Sequence, residues 1–107
     1  SIEIYQQKRT LISYFTMDMN NGKAIRMEEA EGFLEVMNSL KDIDLYVFIK
    51  EYKKNEFKLS FRSRDPKDAR SYASKIGGGG HKHAAGGKMS GSLSDIKMRL
   101  YHLLDLL

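Results

Sequence analysis

Leu45-Tyr46-Val47-Phe48-Ile49, then Lys53-Lys54-Asn55, then Phe57-Lys58-Leu59-Ser60-Phe61-Arg62: this run decides how the chain folds. Its first five residues are continuously apolar, which suits a strand covered on both faces. Lys53, Lys54 and Asn55 break the run with a polar turn. Beyond them Phe57, Leu59 and Phe61 alternate with Lys58, Ser60 and Arg62, the period of a strand with one buried face. The two segments pair side by side in a sheet. The same alternation turns Arg62 away from the three apolar side chains and leaves it available to a ligand.

Working outward toward the N-terminus, Leu11, Ile12, Tyr14, Phe15 and Met17 form a dense β-prone run of about seven residues. Asn21-Gly22 ends it with a turn signal. Met27, Ala30, Phe33, Leu34, Met37 and Leu40 recur at helical spacing, with Glu28, Glu29, Glu31 and Glu35 on the other face. Ile2 to Arg9 reads as a polar, helix-like piece. Toward the C-terminus, Asp65-Pro66 has the form of a helix start, with aspartate as cap and proline at the first helical position. Ala69, Tyr72, Ala73 and Ile76 supply an apolar stripe, and Gly77 a stop. Lys88 to Ser90 reads as a short strand. Ser92 with Asp95 resembles a capping box opening a last helix that buries Leu93, Ile96, Leu100, Leu103, Leu104 and Leu107. Strands interleaved with helices give one α/β domain over residues 1–107, a mixed sheet of about five strands flanked by helices.

Composition narrows the function classes. With 107 residues there is room for one core, and 41% hydrophobic residues suffice to fill it. The chain has no cysteine, which removes disulfides, thiolate zinc sites and cysteine nucleophiles. No apolar run reaches the roughly 20 residues of a membrane helix, and no leader precedes the first strand, so a cytoplasmic protein without membrane contact is expected. A chain that starts at Ser1 reads as a piece of a larger two-domain protein. The net charge is +4, but residues 50–88 hold 11 Lys/Arg against 4 Asp/Glu, a basic middle suited to a polyanionic ligand.

Within that middle lies Gly77-Gly78-Gly79-Gly80-His81-Lys82-His83-Ala84-Ala85-Gly86-Gly87, which holds six of the nine glycines. Ordering four consecutive glycines is entropically expensive, so the fold needs a reason for them. Phosphate binding is one: without Cβ atoms the backbone approaches an anion and aims N–H groups at it. A short helix after the glycines would add its positive end, and His81 would donate to a phosphate oxygen. The alternative is a flexible hinge. The small residues Ala84, Ala85 and Gly86 suggest close packing against another backbone. His81 and His83 lack a third metal ligand; Asp42, Asp44 and the glutamates of the first helix are not read as a metal cluster, and His102 reads as a partly exposed structural residue.

Gly77 to Gly86 resembles the GGGH-x-x-AAG signature of the DHH-associated C-terminal domain in DHH-family phosphoesterases, and Ser60-Phe61-Arg62-Ser63 resembles that family's S-x-R-S strand motif. The resemblance runs over roughly residues 10–107 in the order and type of elements. It implies the substrate-binding domain of a metal-dependent phosphoesterase, of the branch that degrades nano-RNA, pAp or cyclic dinucleotides (oligoribonucleases and, with longer substrates, single-strand exonucleases). It implies that Arg62, Gly78, Gly79, Gly80 and His81 hold the phosphate of a nucleotide or short single-stranded oligonucleotide. Manganese and the catalytic residues are expected in a separate N-terminal domain bearing an Asp-His-His motif, which this sequence lacks; no catalytic or metal-binding residue is assigned here. The alternative is a nucleic-acid-binding module without hydrolase activity. Ile76 to Gly80 carries the G-x-x-G spacing of KH domains, and the accessory domain of alanyl-tRNA synthetases has a glycine-rich version of this fold and serves tRNA binding.

Overall fold

The structure, a computed structural model, describes residues 2–16 and 42–107. In chain order its elements are β1 (Ile2–Tyr5), a 3-10 turn (Gln6–Lys8), β2 (Thr10–Phe15), β3 (Leu45–Lys53), β4 (Glu56–Ser63), α1 (Ala69–Lys75), β5 (Gly79–His81), β6 (Ala84–Ser90) and α2 (Leu93–Leu106). The strands form one sheet in the order β1-β2-β3-β4-β6-β5. β2 and β3 run parallel and every other neighbouring pair is antiparallel, so the α/β class and mixed sheet hold, with six strands rather than about five.

Two of the strands are not foreseen in the sequence: β5, within the glycine run, and β1, where the sequence suggested a helical piece. Ile2 and Ile4 alternate with Glu3 and Tyr5, and the segment pairs with β2 from Ile2↔Ser13 to Tyr5↔Thr10. Only Gln6–Lys8 is helical, a single turn closed by Arg9 at φ 51. The β3–β4 pairing stands as read. It turns at Lys54-Asn55, with Asn55 at φ 59, the left-handed region that asparagine tolerates. β3 is covered unequally: Leu45, Val47 and Ile49 are fully buried, whereas Tyr46 and Phe48 are half-buried. The amphipathic helix over 27–40, with its glutamates, and the turn at Asn21-Gly22 lie outside the described residues, as does Met17.

The two helices among the described residues pack on one face of the sheet. Ile12, Tyr14, Leu45, Val47, Ile49, Phe57, Leu59, Phe61, Ala85 and Met89 from the strands meet Ala69, Tyr72 and Ala73 of α1 and Ile96, Leu100, Leu103 and Leu104 of α2 in one cluster. Each such leucine, isoleucine or phenylalanine removed from water is worth about 1.5–3 kcal/mol. α2 opens with the capping box foreseen at Ser92 and Asp95, the shorter aspartate filling the role of glutamate. Leu107, expected inside, is 48% exposed because it lies past the last turn.

α1 starts later than Asp65-Pro66 suggests. Asp65 and Pro66 sit in a turn joined by a cis peptide. The cap is Asp68, whose carboxylate accepts from the Arg70 amide at 2.9 Å. The intervening backbone is committed elsewhere: the Arg64 amide donates to Asp44 and the Lys67 amide to Arg64. α1 ends as the sequence indicates. Gly77, at φ 78, donates to Ser74 and Gly78 donates to Ala73, the paired bonds of a glycine-terminated helix.

Asp44 locks the lower end of the sheet. Its carboxylate is buried, 3.1 Å from the Arg9 guanidinium and 3.0 Å from Lys67 Nζ, so it joins the starts of β2 and β3 to the loop after β4.

Candidate anion-binding site

The glycine run folds as a hairpin rather than a loop opening a helix. β5 pairs with β6 at Gly79↔Gly86, Gly80↔Ala85 and His81↔Ala84, and Lys82-His83 make the turn. Two of the glycines are explained by that pairing. A Cβ on Gly78 would lie 2.1 Å from the Gly86 carbonyl oxygen. One on Gly80, at φ 148, would lie 2.6 Å from both the Ala84 oxygen and Ala85 Cα. The close backbone approach suggested by Ala84, Ala85 and Gly86 is therefore present within the chain itself. At Gly79 an added Cβ meets nothing within 4 Å, so this position faces open space. The geometry also removes the KH reading, because Gly77–Gly80 joins a helix to a strand rather than two helices.

β6 lies between β5 and β4, and its register with β4 sets the site. Arg62 pairs with Ala84, and Ala84 pairs with His81. Residues directly opposite one another in a sheet project from the same face, so Arg62 and His81 flank the small Ala84 on one rung. Their Cα atoms are about 10 Å apart across two strand spacings. The next rung on this face is Ser60, Gly86 and Gly79. Two glycines and an alanine thus form a bare floor between a serine, an arginine and a histidine. It is the sheet face opposite the two described helices, since Phe61 and Ala85 point the other way into the core.

Neutralisation around the floor is selective. Asp65 takes Lys82 at 3.1 Å and His83 Nε2 at 3.1 Å, and the bonds from His83 and then Lys82 hold its carboxyl below the usual carboxylate range. His83 is therefore held against Asp65 rather than joined with His81. Arg62 is exposed, and its one hydrogen bond among the described residues is a donation to the neighbouring Phe61 carbonyl at 3.0 Å. His81 is exposed and has no side-chain partner among the described residues. Both groups stand on the face of the floor and keep donors for a ligand, and a guanidinium fork matches phosphate oxygens.

Ser63 is a positioning residue that sequence reading passed over. Its hydroxyl donates to the Lys82 carbonyl at 3.1 Å and accepts from the Ala69 amide at 3.0 Å, and its amide donates to His83. The second serine of Ser60-Phe61-Arg62-Ser63 thus fastens the hairpin turn to the start of α1, which fixes β5, and with it His81, relative to Arg62.

Among the described residues no group of three or more His, Cys, Asp or Glu side chains converges to hold a metal. The buried carboxylate of Asp44 is occupied by Arg9 and Lys67, and Asp42 is exposed in a turn. His102 is exposed on α2, at a pocket of about 520 Å³ lined by Ile76, Met98, Leu100 and Leu103, on the helix side of the sheet. No helix among the described residues is long and apolar enough to cross a membrane.

The described residues form a six-stranded mixed sheet with two helices on one face and the rung of Arg62, Ala84 and His81 on the other. Residues 7–106 match the DHHA1 domain, and the chain belongs to that family. Its fold is similar to an exopolyphosphatase-related protein from Bacteroides fragilis, with TM-score 0.81 and 22% identity, over 98% of this chain and 31% of that one. It is also similar to a pGpG-specific phosphodiesterase from Vibrio cholerae, with TM-score 0.64 and 12% identity, over 98% of this chain and 34% of that one. The C-Ala domain of alanyl-tRNA synthetase from Aquifex aeolicus matches over 97% of both chains, with TM-score 0.56 and 14% identity. The chain thus spans about a third of the first two proteins and the whole of the third.

Proposed function

We propose that this chain is the substrate-holding domain of a phosphoesterase, in which Arg62 and His81 clamp a phosphate of a nucleotide or short oligonucleotide over the floor made by Gly79, Ala84 and Gly86. The observation that carries this reading is the shared rung of Arg62, Ala84 and His81. Gly78 and Gly80 serve the site indirectly, by letting β5 lie close enough to β6 to bring His81 onto that rung. Ser60, on the next rung, offers a hydroxyl to the same ligand. The proposed substrates are nano-RNA, pAp or cyclic dinucleotides, in a cytoplasmic enzyme.

Hydrolysis is assigned to a neighbouring catalytic domain, where manganese is the expected metal and would supply the activated water. The contribution of this chain is to fix the phosphate and so the position of the scissile bond, which converts binding energy into orientation. That the chain spans only about a third of two similar proteins supports a division of labour. The full-length match to the C-Ala domain favours a second reading, a nucleic-acid-binding module with no hydrolysis, which would use the same floor.

The test is binding of a 5′-phosphorylated dinucleotide and its unphosphorylated counterpart to the chain across a range of salt. The phosphorylated form is expected to bind more tightly, with affinity falling steadily as salt rises, because phosphate contacts release counterions. Equal, salt-independent binding of both forms would refute the reading. Turnover of the dinucleotide by the protein that carries this domain separates the two readings, since a pure binding module releases it uncleaved.

A further inference from the structure

The helix side of the sheet carries a groove that the anion site does not use. Leu59 of β4 and Met89 of β6 lie at its floor. Leu100 and Leu103 of α2 and Ile76, just past the end of α1, stand around it, enclosing about 520 Å³. The apolar surface continues out of the groove along α2, where Met98 is 71% and Leu106 62% exposed. Single exposed apolar residues are ordinary, but two that border an apolar cavity make a continuous patch of the kind that marks an interaction site. Methionine suits such a surface, because its unbranched thioether adapts to the shape it meets.

The rim carries charge of one sign. Lys75, Arg99 and His102 line the groove, and among the described residues no carboxylate does. None of the three has an acidic partner among the described ion pairs, and Arg99 donates at 3.5 Å to the Ser90 carbonyl. The carboxylates of α2 are engaged elsewhere. Asp95 closes the capping box with Ser92, and Asp105 accepts from the Tyr5 hydroxyl at 2.6 Å, toward β1. An apolar floor between cations fits an apolar partner edged with carboxylates.

The form of that partner follows from the strands beneath. β4 is paired with β3 and β6, and β6 with β4 and β5, so the groove offers no free sheet edge to an extended peptide. A helix satisfies its own backbone and needs side-chain contacts alone. Arg99, His102 and Leu106 recur three and four residues apart on one side of α2, about 10 Å at helical rise, which matches two turns of a docked helix. We infer that the groove between α1 and α2 docks an acidic amphipathic helix of a separate protein, its apolar anchors entering between Ile76, Met98 and Leu106 and its carboxylates meeting Lys75, Arg99 and His102. The choice of a separate protein rests on the anion-site reading above, which puts the phosphate, and the domain that would cleave it, on the opposite face of the sheet.

The experiment titrates the chain with a fluorescein-labelled, helix-stabilised peptide of about four turns, with leucines at i, i+3, i+4 and i+7 and glutamates flanking them. A twin peptide has lysine in place of each glutamate. The glutamate peptide is expected to bind at least about tenfold more tightly than its twin, the difference made by a few exposed ion pairs. Its amide shift changes should centre on Leu59, Ile76, Met89, Leu100 and Leu103. Met98→Glu with Leu106→Glu should weaken it at least about tenfold and leave dinucleotide affinity unchanged, since both positions are exposed and lie off the anion site. Lys75→Glu with Arg99→Glu should reverse the preference between the two peptides, a result that damage to the fold does not produce. Equal affinity for the two peptides, or groove variants that bind like the parent chain, overturns the proposal. So do shift changes centred on Arg62 and His81, which would mean that the glutamates are held as anions at the other site. Self-association of the chain abolished by Met98→Glu with Leu106→Glu overturns the separate protein in favour of a second copy. Decanoate that displaces the peptide and binds as tightly overturns the helix in favour of a small amphipathic acid. Peptide binding at the groove without any dinucleotide binding supports the groove while overturning the Arg62–His81 site, so the two readings fail separately.

Discussion

Replacing Arg62 and His81 together by alanine is expected to weaken binding of a 5′-phosphorylated dinucleotide at least about a hundredfold. Each side chain supplies a charge-assisted hydrogen bond to phosphate, worth about 1.5–3 kcal/mol. The two act on one anion, so the double variant should lose less than the sum of the single losses, with the difference reporting their coupling. Both side chains are exposed, and neither belongs to the buried cluster. Thermal stability should stay close to that of the parent chain, because surface substitutions usually cost within about 0.5 kcal/mol. In the protein that carries this domain, the loss should appear as substrate affinity with metal affinity intact. A double variant that binds as well as the parent would show that the phosphate lies elsewhere.

Gly78→Ala is expected to cost stability at the upper end of the roughly 1–3 kcal/mol usual for overpacking, because its Cβ would sit 2.1 Å from a backbone oxygen that cannot rotate away. β5 would have to leave β6, and His81 would leave the rung it shares with Arg62. At about 4–8 °C per kcal/mol for a domain of this size, the melting temperature should fall by about 10 °C or more. Gly79→Ala is the contrasting change. Its Cβ meets nothing, so the fold should tolerate it, whereas an anion on the floor would encounter the added methyl. Stability measured for both variants, with phosphate affinity for Gly79→Ala, separates the two functions of the glycine run. A stable Gly78→Ala chain would mean that the β5–β6 approach is looser than described.

These expectations show what could be seen in the residues beforehand. The alternation of β4 put Arg62 on the face opposite Phe57, Leu59 and Phe61, since a period of two within one strand is local. The glycine run hid its own structure. Four glycines have no side-chain period, so nothing in them announces a strand, and the cationic end of a helix was a reasonable but incorrect substitute. Gly80, which the sequence places beside the anion, also has no room for a Cβ against Ala84 and Ala85, a packing reason that the sequence could not reveal. The rung of Arg62, Ala84 and His81 was illegible, because it depends on which residue of β6 lies opposite which residue of β4. Lys50, Lys58 and Lys88, scattered along the chain, likewise meet on one rung only through the pairing of β3, β4 and β6. β1 was missed because four residues with two isoleucines are too short to establish a period. Ser63 carried one signal, its place beside Arg62 in the strand motif, but its hydrogen bonds to the hairpin turn depend on tertiary packing.

The most direct test of the central claim is to record amide chemical shifts of the chain while adding a 5′-phosphorylated dinucleotide. The two faces of the sheet offer distinct outcomes. Binding at the floor predicts the largest changes at Ser60, Arg62, Gly79, His81, Ala84 and Gly86, with α2 unaffected. Changes centred instead on Ile76, Met98, Leu100 and Leu103, around the pocket on the helix side, would contradict the account.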